Sequence, residues 1–337
     1  MVKNVPHIRQ QGGMEAEYPQ ILKFIEEQNS VYWTHTEIKM EKDVQDILVN
    51  MTESERHAVL SNQKLFTKYE VFAGNEYWSG RFTRMYPRIE FQEMGACFAF
   101  YELCIHKRFY QSINEHLHIH TNEFYDSYID DPILNARMDF LNHFINQTDD
   151  DLLSVAVFSM VEGAILYSAF AFLKHFQAQG KNKLKALVSG VNFSVRDENI
   201  HAEAGAYVFK TDLAQQMKSP EEITRLYAKI YEAAEKLREH EHRIIDMNFE
   251  KGKIEGITPH QLKNFVDSRI DICLEKLGLT AQYKPASNPI ADWFYLSTSN
   301  AKTHDFFAGQ GSDYNRNWSE EEFDWEYDPE LEIGVAA

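Results

Sequence analysis

The chain reads as all-α: a single helical bundle over residues 1–312, followed by a flexible acidic and aromatic tail over 313–337. Three observations predict this. Only 15 of 337 residues are glycine and 9 are proline, too few for a many-turned β architecture. Stretches rich in helix formers follow one another with no competing run of strand-like alternation. Residues 152–173, LLSVAVFSMVEGAILYSAFAFL, are nearly all apolar around a central Glu162, as expected of a helix at the middle of a core.

Residues 1–40 are irregular apart from a short helix near 18–28, which ends before Tyr32-Trp33. Helices are then predicted at about 52–78, 88–117, 121–147, 150–178, 183–213, 219–249 and 258–277. Thr52 stands three residues before Glu55, the spacing of a capping box. Pro220 follows Ser219 and precedes two glutamates, which suits the first turn of a helix. Breaks are expected at Asp130-Asp131-Pro132, at Gly180, between Gly252 and Gly256, and at Gly278. The apolar run at 152–173 is long enough to cross a bilayer. An acid at its centre and the lack of a positive flank favour a core helix, so no membrane is expected.

The tail differs from the rest. Between Asp313 and Glu332 there are nine acids and one base, interleaved with Tyr314, Trp318, Phe323, Trp325 and Tyr327. It supplies −8 of a net charge of −18, and its composition reads as a partner-binding segment. The overall acidity argues against nucleic acid or an anionic membrane as partner. Cys97, Cys104 and Cys273 are too few and too scattered for a disulfide framework. The first residues lack the apolar stretch of a signal peptide, so a reducing, cytoplasmic setting is expected.

The chemistry-bearing residues form a set. Glu198 and His201 are three apart on a helix, about 60° around its axis, so both side chains can reach one ion. Glu102 and His106 are four apart, and Tyr110 extends the same stripe. Glu70 and Glu162 are single acids in mixed or apolar helices. Two single glutamates and two Glu/His pairs, one from each of four helices, make the ferritin-like di-metal carboxylate pattern. Four carboxylates can balance two metal ions while two imidazoles complete their coordination. Glu239-His240-Glu241-His242 and the histidines 116, 118 and 120 show similar spacings but sit in polar surroundings that suggest exposure.

The chain resembles the radical-generating small (beta) subunit of class I ribonucleotide reductase over most of its length. The resemblance rests on Tyr32-Trp33 ahead of Thr36-Glu37-Ile38 and Lys42-Asp43, then on Glu70, His106 with Tyr110, and Val161-Glu162-Gly163. It continues through Arg196-Asp197-Glu198 with His201, Lys302-Thr303 with Phe306-Phe307, and Gly311 with Tyr314. It implies metal ligands at Glu70, His106, Glu162, Glu198 and His201, and a radical tyrosine at Tyr110. It also implies a radical-transfer route through Trp33 and Asp197, with Asp197 bonded to a ligand histidine. Tyr314 would relay the radical into the large (alpha) subunit, which the tail would bind. The implied cofactor is a dinuclear metal centre, di-iron (Fe/Fe) first, with Mn/Fe or Mn/Mn as the alternatives. A homodimer and the reduction of ribonucleoside diphosphates or triphosphates are likewise implied.

Two positions depart from the family pattern. Glu70 stands where most members have aspartate, as in the manganese/iron subclass, yet that subclass usually lacks the tyrosine that Tyr110 provides. The glutamate expected three residues before the first histidine is replaced by Leu103, and Glu102 lies one place earlier. A local π turn would bring Glu102 to the metal. A stand-alone di-iron oxidase or oxygenase and a non-enzymatic ferritin-like metal-binding protein are the rival readings. Neither has a use for Trp33, Asp197, Tyr110 and Tyr314 together.

Overall fold

The computed structural model describes residues 6–286 and 289–295. Among them every regular element is helical. The order is α1 (Pro19–Ser30), α2 (Glu53–Val71), α3 (Ile89–Phe100), α4 (Lys107–His116), α5 (Asn122–Asp126) and α6 (Pro132–Leu141). Then come α7 (Asp151–Met160), α8 (Tyr167–Lys174), α9 (Lys185–Gln215), α10 (Pro220–Asn248) and α11 (Pro259–Lys276). The expected domain boundary at 312/313 and Tyr314 lie outside the described residues, as does the whole tail.

Helix starts follow local chemistry. The Thr52 hydroxyl accepts from the Glu55 amide at 3.2 Å while Glu55 accepts from the Thr52 amide at 2.9 Å, closing the expected box. Ser219 with Glu222 and Thr258 with Gln261 repeat the device. Asp131 accepts from Ile133 and Leu134, so the break at Asp130–Pro132 falls where the sequence places it and splits the stretch 121–147. At α9 the chain enters through Leu184 at φ 54°, and Asp46 accepts the Leu184 amide at 2.9 Å. Asp43 takes the Ala186 and Leu187 amides at 3.2 and 2.6 Å, which holds the start of this helix without a local cap.

Of the five π-helical stretches among the described residues, three keep the helices around the centre running. Phe72–Phe82 prolongs α2, so the helix predicted to end near 78 continues to Met85. Tyr101–His106 joins α3 to α4, and Val161–Ile165 joins α7 to α8. The 28-residue run Asp151–Ala178 is apolar and long enough for a membrane, but its apolar window is 100% buried inside the bundle. The core-helix reading therefore holds. Helix α9 packs chiefly against α7, with α10 and α11 covering the other side. Close approach is specific: a Cβ on Gly163 would stand 2.4 Å from Cys273 Sγ of α11, and one on Gly190 would meet Phe109 at 2.1 Å.

Candidate metal centre

Six side chains from four helical runs meet at the middle of the bundle. Glu70 comes from the last turn of α2, and Glu198 and His201 from the middle of α9. Glu102 and His106 come from the π turn after α3, and Glu162 from the π turn after α7. All six are buried, none more than 1% exposed. The π turn expected around Leu103 is present after α3. With the helix widened there, Glu102 points at the cluster and Leu103 packs on Gly74, where an added Cβ would lie 2.7 Å from its Cγ.

The six fall into two overlapping groups, Glu70–Glu102–His106–Glu198 and Glu102–Glu162–Glu198–His201, each with ligand atoms within 4.8 Å of one another. Glu102 and Glu198 are shared. Glu102 Oε2 lies 3.1 Å from His106 Nδ1 and its Oε1 lies 2.8 Å from His201 Nδ1. Glu198 Oε1 lies 3.5 Å from His106 Nδ1 and its Oε2 lies 3.8 Å from His201 Nδ1. Each shared carboxylate thus gives one oxygen to each half. Glu70 approaches His106 Nδ1 at 3.7 Å, and Glu162 approaches His201 Nδ1 at 3.4 Å.

The donor set fits two cations. Both oxygens of Glu70, Glu162 and Glu198, Oε1 of Glu102 and both nitrogens of His201 are buried without a well-formed hydrogen bond. Buried polar atoms are seldom left so, and unfilled ones point to an ion. Two ligands at right angles around an ion at about 2.1 Å stand about 3.0 Å apart. The 2.8 and 3.1 Å spacings around Glu102 are of that size.

By itself the cluster manages its charge with protons. Burial, and next the charge of Glu102, push the Glu70 carboxyl well up; burial with Glu102 and Glu162 does the same to Glu198. Burial also opposes charge on Glu102, but His106 and the surrounding hydrogen bonds prevail and hold it well below the usual range. Burial works against charge on His201, yet Glu102 and Glu162 bring it up to about 9. Burial also works against charge on His106, but Glu102 and the hydrogen bonds that its ring donates to Asp197 and the glutamates raise it well up.

Behind the cluster runs a polar chain. Trp33 donates its indole N–H to Asp197 Oδ2 at 2.8 Å, and the same oxygen lies 3.0 Å from His106 Nε2. Asp197 is therefore the partner of a histidine whose other nitrogen faces the carboxylates, which fixes the ring's orientation. The Trp33 ring also stacks on His106 at 5.9 Å. Tyr110, one helical turn past His106, is fully buried and stacks on Phe66 at 4.3 Å. Its hydroxyl makes no well-formed hydrogen bond, and burial followed by the charge of Glu70 pushes the phenol well up.

One reading of the sequence needs correction. Glu241 is buried, not exposed; it pairs with Arg137 and accepts from Ser168, so its charge is already matched. His242 is held by Asp267 at 2.8 Å, and the histidines at 116, 118 and 120 are exposed as expected. Sequence reasoning missed Arg137 and Arg269, lone cations on amphipathic helices with no spacing signal to set them apart.

The fold is that of known reductase subunits. It superposes on the dimanganese(II)-NrdF of Streptococcus sanguinis with a TM-score of 0.69 at 18% identity, covering 86% of this chain and 98% of that one. The ribonucleotide reductase R2 subunit from Clostridium botulinum gives 0.68 at 18% identity, over 83% and 88%. In sequence, the ribonucleoside-diphosphate reductase subunit beta of Mycoplasmoides gallisepticum is 26% identical over 231 residues, 66% of this chain and 65% of that one. A protein of Invertebrate iridescent virus 3, named "Probable ribonucleoside-diphosphate reductase small subunit 048L", is 24% identical over 317 residues, 88% and 82% of the two chains. The profile described as "Ribonucleotide reductase, small chain" matches residues 14–289, a span that includes Trp33, Asp197 and all six clustered side chains, and the chain belongs to that family.

Proposed function

We propose that this small chain generates and holds the oxidising equivalent used by a class I ribonucleotide reductase. The observation that carries the reading is the sharing of Glu102 and Glu198, each offering one oxygen to either half of a buried six-residue cluster. Glu70, Glu102, His106 and Glu198 would hold one ion, and Glu102, Glu162, Glu198 and His201 the other. When bound, the metal pair supplies the reduction of dioxygen and the oxidising power that follows from it. Iron is the first choice, with Mn/Fe or Mn/Mn as alternatives that the Glu70 position keeps open.

The chain's own residues govern where that power goes. Tyr110 is the group to be oxidised: its phenol must give up a proton with the electron, and Glu70 is the carboxylate that acts on it most strongly. The aromatic packing of Phe66 and Phe109 keeps the ring away from water. Trp33, Asp197 and His106 form a continuous hydrogen-bonded line, so an electron leaving Trp33 can be matched by movement of its indole proton toward Asp197 Oδ2. Family membership implies a large subunit as partner. We assign its recognition to the acidic tail, 313–337, and the last redox link to Tyr314. A homodimer in the cytoplasm completes the proposal.

Electron paramagnetic resonance after loading with iron or manganese in air tests it. A tyrosyl signal lost in Tyr110→Phe, or a mixed-valent high-potential metal signal, supports the reading. Featureless mineral-like iron would refute it in favour of storage.

A further inference from the structure

The π turn that carries Glu162 has contacts that the proposed chemistry does not use. Two buried guanidiniums bind backbone carbonyls of this turn. Arg137 donates to Ile165 O at 3.1 Å, and Arg269 donates from Nε and Nη2 to Gly163 O at 3.1 and 2.9 Å. Arg137 is balanced by Glu241. Arg269 is only 3% exposed, and no carboxylate among the described residues forms an ion pair with it. A buried cation in that position is expensive unless its donors are all used.

They are used on three parts of the fold. Besides Gly163, Arg269 donates to Asn199 Oδ1 at 3.1 Å and to the Tyr295 hydroxyl at 3.1 Å, and it lies 3.9 Å over the Tyr167 ring. Gly163 follows Glu162, Asn199 follows Glu198, and Tyr295 ends the described segment 289–295. That segment is anchored again by Lys174, which donates to Phe294 O at 2.9 Å, and by Phe294 against Phe265 at 4.8 Å. The absence of a Cβ at Gly163 lets α11 approach this closely.

We propose that Arg269 is a positioning residue for the half of the centre built from Glu102, Glu162, Glu198 and His201, and that through it the docking of residues 289–295 sets the affinity of that half. The inference rests on the dimetal reading given above. Without the guanidinium fork, the Gly163 carbonyl is released and the π turn loses the tie that aims Glu162; the Asn199 end of the Glu198 turn loosens with it. The other half keeps Glu70 and His106, which stand on elements Arg269 does not touch.

The test titrates the full chain with Mn(II), read by the resonance of the unbound ion, and with Co(II), read by its visible ligand-field bands. Wild type should take up two ions per chain. Arg269→Lys, which keeps the charge and loses the fork, should weaken the ion beside His201 by about ten-fold or more and alter its Co(II) bands, with a clearly smaller loss for the ion beside His106, which shares only Glu198 with the loosened part. Tyr295→Phe removes one hydroxyl and should weaken the same ion by about three-fold. Asp271→Asn is the control for general loosening. That carboxylate, on the same helix as Arg269, accepts the Gln282, Tyr283 and Lys284 amides of the following loop at 2.7, 3.0 and 2.7 Å, and metal uptake should not change. Wild-type affinities and bands in both Arg269→Lys and Tyr295→Phe would overturn the proposal, as would an equal shift in Asp271→Asn. A wild type that binds no ion would fail at the earlier step, the dimetal reading itself.

Discussion

Glu102→Gln is the sharpest perturbation of the centre, because this one side chain serves both halves and stands at the irregular spacing. Glutamine keeps the shape, removes the charge and presents an NH2 where one oxygen faced a histidine. Its two oxygens lie 3.1 Å from His106 Nδ1 and 2.8 Å from His201 Nδ1, so no rotamer of the amide can serve both sides as an anionic ligand. Loss of groups that merely support a metal ligand costs about 10- to 100-fold in affinity. A shared ligand should therefore cost at least about 100-fold, or about 2.7 kcal/mol, for each ion. Titration with Mn(II) should show both sites weakened together. Glu70→Gln should weaken only the ion beside His106, and Glu162→Gln only the one beside His201. Two ions bound at wild-type affinity in Glu102→Gln would show that Glu102 is no ligand and that Leu103 marks a true loss.

Other expectations follow from the same geometry. His201→Ala removes the imidazole packed against Phe98 at 4.2 Å and should lower occupancy of one ion by metal analysis, with full metal and full radical yield the contrary result. Tyr110→Phe should keep metal uptake and lose any tyrosyl resonance; holoenzyme turnover that survives it would place the oxidant on the metals. Gly163→Ala sets a methyl 2.4 Å from Cys273 Sγ and should cost about 1–3 kcal/mol in urea denaturation, largely recovered in the double variant with Cys273→Ala. An unchanged urea midpoint would refute that packing argument. Deleting 318–337 should abolish or greatly weaken binding to the large subunit with metal uptake intact, and Tyr314→Phe should keep binding and lose turnover. A truncated chain that still supports nucleotide reduction would remove the tail from the mechanism.

Much of the centre was legible in the sequence because its ligands stand on long helices, where spacing translates directly into direction. Glu198 and His201 needed only regular α geometry, and the apolar flanks of Glu162 announced a buried acid. Trp33 and Asp197 were readable only through resemblance, since a buried tryptophan and an acid beside an arginine are individually ordinary. What spacing alone left open was Glu102, whose direction depends on one widened turn. Propensity says little about such a turn, because its stability comes from neighbours: the Gly74 surface under Leu103 and the histidines ahead of the carboxylate. Arg269 was invisible for a related reason. Its role is set by partners far apart in sequence, the Gly163 carbonyl, Asn199 and Tyr295, which only the folded chain brings together.

The electrostatics explain why so many costly groups are retained in one place. Four glutamates and two imidazoles share a site cut off from water, where two like charges 4 Å apart repel by about 4 kcal/mol at an effective dielectric constant of 20. The protein alone can relieve this only by protonating acids and charging histidines, as the upward shifts of Glu70, Glu198 and His201 show. Imidazolium is the form that burial disfavours, so that solution is a compromise. Two divalent ions would cancel four carboxylates and let both imidazoles stay neutral on their inner nitrogens. Asp197 then remains as a further buried acid beside the cluster. Its Oδ2 is met by the Trp33 indole and His106 Nε2, and Arg196 Nε stands 3.7 Å from its other oxygen, so a cation faces that oxygen whether or not the histidine is charged.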